Sequence, residues 1–306
     1  MNVVIIGDFP EDSRQAIRAI FPPGWAVAVG RLQDVAAELA QAEVIIPEHA
    51  AVDAGLLDRA PKLKLVQTGA GFDNVAIPEC TRRGVWVANA AGVNAGAVAE
   101  HVIALVLCWY KNLIPLDRAM KRGEYAVGYT GGEVAGKTIG VVGMGHIGAR
   151  VAAMAAALGM EVLKGSVQAP AAAAAGLTEI LRRADVLTVH CRLNEGTRHL
   201  IGPAELACMK PGAFLVNTSR GGVVDEAALV EALRAGRIAG AGLDVYESEP
   251  LPPDSPLRQM ENVILTPHTA GMPDGLRFHR RRYLFFAENA CRVANGQAPL
   301  NALNRP

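Results

Sequence analysis

The hydrophobic pattern of this chain switches between two periods. Short runs rich in branched apolar residues, VVIIG (3–7), WAVAV (25–29), EVIIP (43–47), LKLVQTGAG (63–71) and GVWVANAAG (84–92), alternate with stretches of helical period near 11–20 and 31–41. Runs this short and this apolar predict strands buried on both faces, and the helices between them predict a mainly parallel sheet covered on both sides. The pattern changes at Asn94. Val98, Val102, Leu105, Val106 and Trp109 recur at helical spacing and predict one long apolar helix, starting near Ala95, that leads into a second domain. Residues 111–136 are irregular, with Pro115 and several glycines; an arm on a partner subunit and a plain surface excursion both fit.

Strand-like runs then return as TIGVV (138–142), MEVL (160–163), DVLTVH (185–190), AFLVNTS (213–219), AGAGLDVY (239–246) and NVILTPH (262–268). Helical PAELACMK and EAALVEALRAG separate the later ones. The alanine-rich stretch 168–176 is of low complexity and could begin a helix. The tail from Arg277 to Asn295 is helical again and is expected to pack on the first domain.

Between TIGVV and a helix over 149–158 stands Gly143-Met-Gly145-His-Ile-Gly148. A glycine turn between strand and helix is the context in which G-x-G-x-x-G signals dinucleotide binding. Gly143 serves the tight turn, Gly145 the close approach of backbone to a pyrophosphate, and Gly148 the packing of helix on strand. The pyrophosphate is expected on the open N–H groups of the helix N-terminus. The predicted fold is therefore α/β, with two doubly wound parallel-sheet domains. A Rossmann NAD(P)-binding domain (98–277) is inserted into a flavodoxin-like substrate domain (1–97 and 278–306).

Composition narrows the class. The 306 residues are 51% apolar and 20% charged with zero formal net charge, so nothing points to nucleic acid or an anionic membrane. The N-terminus enters a strand at once, without a basic lead, which argues against a signal peptide. Five scattered cysteines without C-x-x-C spacing read as reduced thiols in the cytoplasm, and no histidine pair at metal-binding spacing appears, so no metal site is expected.

Ligands of open parallel sheets bind outside the carboxyl ends of the strands. Three late strands end in groups able to do acid–base or anion chemistry: AFLVNTS runs into Arg220, AGLDVY into Glu247 and Glu249, and VILTP into His268. Each alone has a plain surface reading; together on one edge they make a reactive site. Glu100-His101 resembles an acid–base pair but falls in the apolar helix, where a packed, hydrogen-bonded role is expected. His190 is read as structural.

With those residues in view, the chain resembles the D-isomer-specific 2-hydroxyacid dehydrogenase family, which includes phosphoglycerate dehydrogenases and hydroxypyruvate reductases. The matching stretches are TGAGFDNV (68–75), VANAAGVNAGAVAEH (87–101), GVVGMGHIG (140–148), NTSRGGVVDEAAL (217–229), GAGLDVYESEPL (240–251) and TPHTAG (266–271). The resemblance implies Arg220 as the arginine that binds the carboxylate and carbonyl oxygen of a 2-oxo acid, a role suited to its fork of donors. It implies His268 as the general acid/base and Glu249 as the partner that stabilises the imidazolium. The amides of Ala70 and Gly71 would hold the substrate carboxylate. His146 and Ile147 match pyrophosphate contacts; Thr218, Asp244 and Gly271 match nicotinamide-side positions, with Ser219, Arg220 and His268 beside them. Ser166, Arg192 and Thr197 fall on the adenosine side. The implied cofactor is NAD or NADP, with NAD favoured, and the implied assembly is a homodimer through the cofactor domain.

Two departures stand out. The strand after the glycine turn ends near Ser166, where relatives often carry an acid, and Arg192 replaces a usual proline, so the two together would admit or prefer NADP. Glu48 and His49 occupy a region where relatives with phosphorylated substrates tend to be basic. A small 2-oxo acid such as glyoxylate or hydroxypyruvate, reduced to its (R)-2-hydroxy acid, is therefore expected over 3-phosphoglycerate, although Arg277 and the RFHRRR run (277–282) follow closely. The alternatives are a cofactor-sensing scaffold without activity and oxidation of a donor such as phosphite.

Overall fold

The computed structural model describes residues 1–48, 50–125, 128, 131–166, 170–272 and 280–306, with backbone alone for 170–175. His49, Arg277 and the first half of the RFHRRR run lie outside the described residues. The chain separates into two units, Met1–Asn94 with Met272–Pro306, and Ala95–Gly271.

In the first unit, branched apolar runs form a five-stranded parallel sheet: β1 (Asn2–Ile6), β2 (Ala26–Gly30), β3 (Val44–Pro47), β4 (Leu65–Thr68) and β5 (Trp86–Asn89), in the order β2-β1-β3-β4-β5. This is the doubly wound flavodoxin-like order. Alternate side chains feed two separate cores, Val3, Ile5, Val44 and Leu65 on one face and Val4, Ile6, Ile45 and Val66 on the other. Helices α1 (Glu11–Arg18), α2 (Ala54–Asp58) and α3 (Ile77–Arg82) connect the strands. The helix expected near 31–41 is absent. The Asp34 and Val35 N–H groups both bond to the Arg31 carbonyl, a single turn that does not propagate into an α-helix. Only a short 3₁₀ turn, Leu39–Gln41, closes the segment.

The second unit opens with α4 (Ala95–Tyr110), the expected apolar helix, and α5 (Leu113–Lys121), a helix in the stretch expected to be irregular. Arg118 and Lys121 in the last turn of α5 suit the negative end of its dipole. The sheet comprises β6 (Thr138–Val142), β7 (Glu161–Gly165), β8 (Val186–Val189), β9 (Phe214–Asn217), β10 (Gly240–Leu243) and β11 (Val263–Leu265), all parallel, in the order β11-β10-β9-β8-β6-β7. Helices α6 (His146–Ala157), α7 (Pro170–Arg183), α8 (Pro203–Cys208) and α9 (Glu226–Arg234) link them; α7 begins within the alanine-rich stretch. Two glycines of β10 let α4 approach the sheet: a Cβ on Gly240 would stand 2.4 Å from the Trp109 ring, and one on Gly242 3.3 Å from Leu105. Trp109 stacks on Phe214 of β9 with ring centroids 4.7 Å apart. Among the described residues no single helix is long and apolar enough to cross a membrane.

The tail forms α10 (Arg280–Ala294), which belongs to the first unit and buries Tyr283, Phe286 and Ala290 in its core. Asn289 ties it to β4 through Gln67 at 2.7 Å.

Candidate active site

Strand order in the second unit reverses at β6, which pairs with β7 on one side and β8 on the other. Its carboxyl end is therefore the topological switch point, and the glycine turn lies there. Each glycine meets a different constraint. Gly143 has φ +99, and a Cβ on it would lie 2.7–2.9 Å from the His190–Cys191 backbone. A Cβ on Gly148 would lie 2.0 Å from the Gly143 carbonyl oxygen. At Gly145, the N-cap of α6, no described residue beyond its chain neighbours comes within 4 Å of that position. The first intrahelical bond runs from Ala149 N–H to Gly145 O, so the amides of His146, Ile147 and Gly148 form the open end of α6.

Two buried polar atoms beside this turn have no hydrogen-bond partner among the described residues: His190 Nδ1 at the end of β8 and Thr218 Oγ1 after β9. Buried orphans are costly, and they mark places where a polar ligand completes the site. Burial without a compensating charge holds the His190 imidazole down at about 4, so it is neutral near pH 7, with Nε2 joined to Thr188 Oγ1 at 2.9 Å. A dinucleotide fits these residues: an uncovered backbone at Gly145, open amides on α6, and unsatisfied polar atoms on the next two strand ends.

Of the residues expected on the adenosine side, Ser166 directly follows β7. Thr197 is buried, and its hydroxyl donates to Arg192 O and accepts from Asn194 N–H at 2.8 Å, so it shapes the 192–197 turn.

The reactive edge is built by register. Asn217 of β9, Leu243 of β10 and Leu265 of β11 stand side by side, so Arg220, Asp244 and His268 leave the sheet from the same edge. The buried Asn217 amide clips the turn that carries Arg220: its Oδ1 accepts from Ser219 N–H (3.0 Å) and Oγ (2.9 Å), and its Nδ2 donates to Arg220 O (2.9 Å). The same turn presses on the strand that leads to Glu249, since a Cβ on Gly221 would lie 1.9 Å from Tyr246 C.

His268 Nδ1 meets Glu249 Oε2 at 2.7 Å, and the other Glu249 oxygen accepts from Tyr246 N–H at 3.1 Å. The carboxylate favours the Nδ1–H tautomer and leaves Nε2 outside this bond. Glu247 is paired elsewhere, with His199 at 2.7 Å. Asp244 is buried, and its two oxygens accept from Thr266 Oγ1, Thr269 N–H and Ala270 N–H, so it holds the loop around His268. Gly271 closes the unit directly after that loop. Asn217 and Thr266 stand in the NTSRGGVVDEAAL and TPHTAG stretches, and their only sequence signal is an amide or hydroxyl at the end of an apolar run.

Ala70 and Gly71 lie in the first unit, just past β4, where Asn89 Nδ2 donates to Ala70 O at 3.0 Å. Nearby, Glu48 is not a bare anion. Arg282 Nη2 donates to both its oxygens at 2.8 and 2.6 Å, and the Tyr283 hydroxyl donates to Oε1. Arg282 also lies close enough to Gly69 that a Cβ there would stand 3.4 Å from Nη1. The expected repulsion of a phosphate by Glu48 is thus offset, and Arg282 is correspondingly engaged.

A dinucleotide turn at the switch point and a histidine–carboxylate pair on the same sheet edge define a nicotinamide-dependent oxidoreductase. The NAD binding domain of the D-isomer specific 2-hydroxyacid dehydrogenases matches residues 103–270, and the chain belongs to that family. It is 41% identical over 270 residues to a glyoxylate reductase of Aeropyrum pernix, covering 83% of this chain and 80% of that one. A D-3-phosphoglycerate dehydrogenase of Archaeoglobus fulgidus is 38% identical over 272 residues, 86% of this chain but 51% of that protein. The crystal structure of D-lactate dehydrogenase from Aquifex aeolicus, complexed with NAD and lactic acid, superposes with a TM-score of 0.83 at 28% identity, covering 100% of both chains. The chain is an NAD(P)-dependent oxidoreductase acting on CH–OH donors.

Proposed function

We propose that the enzyme interconverts a small 2-oxo acid and its (R)-2-hydroxy acid, with glyoxylate or hydroxypyruvate as the reducible substrate. The observation that carries this reading is the His268–Glu249 pair at 2.7 Å on the strand edge that also bears Arg220. When bound, the nicotinamide supplies or accepts the hydride. Arg220 takes the substrate carboxylate and carbonyl oxygen on its fork of donors. His268 Nε2–H gives the proton to the carbonyl oxygen during reduction and recovers it during oxidation. Glu249 fixes the ring through Nδ1–H and offsets its charge. The amides of Ala70 and Gly71 are assigned to the substrate carboxylate.

A small uncharged substrate tail is favoured because Arg282, a cation near the Gly69–Gly71 turn, is engaged by Glu48. The kinship with a glyoxylate reductase over four-fifths of each chain points the same way. His146, Ile147 and Gly148 are assigned to the pyrophosphate, Thr218, Asp244 and Gly271 to the nicotinamide side, and Ser166 and Arg192 to the adenosine ribose. With no carboxylate at Ser166, the site admits NADP beside NAD, the cofactor in the name of the matched domain. Five free cysteines suit a reducing cytoplasm. Exposed Leu113 and Met120 on α5 suit a homodimer through the cofactor unit.

A panel of 2-oxo acids, 3-phosphohydroxypyruvate and phosphite, run against NADH, NADPH and their oxidised forms, tests the proposal. Turnover of glyoxylate or hydroxypyruvate that falls by about 10²–10⁴ in His268→Ala is expected. Preference for the phosphorylated acid, or near-normal turnover in His268→Ala, would refute it.

A further inference from the structure

The loop that carries His268 hangs from one buried carboxylate. Asp244 Oδ1 accepts from the Thr266 hydroxyl at 2.6 Å and Thr269 N–H at 2.9 Å, and Oδ2 accepts from Ala270 N–H at 2.9 Å. The Asp244 carbonyl accepts from His268 N–H, also at 2.9 Å. Within this loop His268 holds φ +54, a left-handed conformation that a non-glycine residue keeps only when its surroundings impose it.

The suspension continues into α4. His101 Nε2 lies 3.1 Å from Thr266 Oγ1 and 3.8 Å from Asp244 Oδ1. Proton counting gives this chain a direction. Both Asp244 oxygens act as acceptors, so the single Thr266 hydroxyl proton is committed to Oδ1. The Thr266 oxygen can then only accept from His101, which places a proton on Nε2. The sequence of bonds is His101 Nε2–H to Thr266 Oγ, and Thr266 Oγ–H to Asp244.

We propose that His101 is a positioning residue for the proton transfer at His268: acting through Thr266 and Asp244, it fixes the 266–270 loop to α4. It touches neither reacting atom, and its contribution is to the geometry of His268. The proposal rests on His268 as the proton donor, which the His268→Ala comparison tests separately; the cycle below can fail while that role stands.

The test is a double-mutant cycle in the full-length enzyme with cofactor and a 2-oxo acid. His101→Leu removes the donor, and the near-isosteric Thr266→Val removes the middle hydroxyl. Each is expected to lower kcat about tenfold, the scale of one hydrogen bond in a charged chain. KM for the acid should stay within about twofold, since Arg220 and the Ala70–Gly71 turn, the groups assigned to the substrate carboxylate, are untouched. Because both variants break the same relay, the double variant should be no slower than the slower single one, whereas independent effects would multiply to about a hundredfold. His101→Gln, which keeps an N–H donor at similar reach, should recover kcat to within about threefold of wild type. Wild-type kcat in both single variants, multiplying losses, or a glutamine variant as slow as the leucine variant would each overturn the proposal. If His101→Leu does not fold, Thr266→Val and His101→Gln still decide it: a tenfold loss in the first with near-normal turnover in the second supports the relay, and any other pair of results refutes it.

Discussion

Gly145 and Gly148 stand three residues apart in one motif, yet alanine at each should fail for a different reason. At Gly148 the added methyl would lie 2.0 Å from the Gly143 carbonyl oxygen and 3.3 Å from Val141 Cγ1, so helix α6 must shift off β6. Overpacking of this kind costs about 1–3 kcal/mol. For a unit of this size that is a Tm lower by roughly 2–12 °C. At Gly145 no described residue beyond the chain neighbours lies within 4 Å, and φ −76 suits alanine, so stability should stay within about 0.5 kcal/mol of wild type. The methyl would instead occupy the space assigned to the pyrophosphate, weakening cofactor binding by about 10- to 100-fold. Calorimetry without cofactor and a fluorescence titration with NADH and NADPH separate the two effects. Wild-type affinity in Gly145→Ala would refute the assignment of the turn. A Tm loss in Gly145→Ala equal to that in Gly148→Ala would refute the reading of open space.

Arg220→Lys keeps the charge but loses the planar fork, so kcat/KM for the 2-oxo acid should fall by about 10- to 100-fold; steady-state kinetics check this, and an unaltered kcat/KM would remove Arg220 from the substrate. His190 titrates at about 4 in the fold against 6.5 as a free side chain, so its contribution to stability is complete above pH 6.5 and is lost as pH falls toward 4. By pH 5 that loss amounts to about 2 kcal/mol, and urea unfolding at pH 7.5 and 5 should show it in the wild type and not in His190→Gln; equal losses in both proteins would refute the assignment. Arg192→Ala should lower kcat/KM for NADPH relative to NADH; a strong NADH preference that the substitution leaves unchanged would sink the role given to Arg192.

Much of the fold was legible because it rests on local pattern. Branched apolar runs became parallel strands, the spacing of Val98, Val102, Leu105 and Val106 became α4, and the glycine spacing marked the tight turn at Gly143 and the close packing at Gly148. The misses have local causes too. Residues 31–41 carry a helical pattern, but only a single turn on the Arg31 carbonyl and a short 3₁₀ turn form there. Helix α5 was hidden by Pro115, which sits in its first turn, where proline is tolerated.

The sequence by itself determined which chemical groups the enzyme owns: the glycine turn, Arg220, Glu249 and His268, each at the end of an apolar run. Their backbone placement follows from strand and turn preferences that act over a few residues. Only the tertiary structure decided which groups are paired. Glu48 looked like an exposed anion until α10, more than two hundred residues later, brought Arg282 and Tyr283 onto it. His101 is packed and hydrogen-bonded as its place in an apolar helix implies, but only strand register sets Thr266 and Asp244 beside it as its partners. Hydrogen bonds and ion pairs act over about 3 Å in space and are indifferent to distance along the chain, so no periodicity in the sequence could announce them.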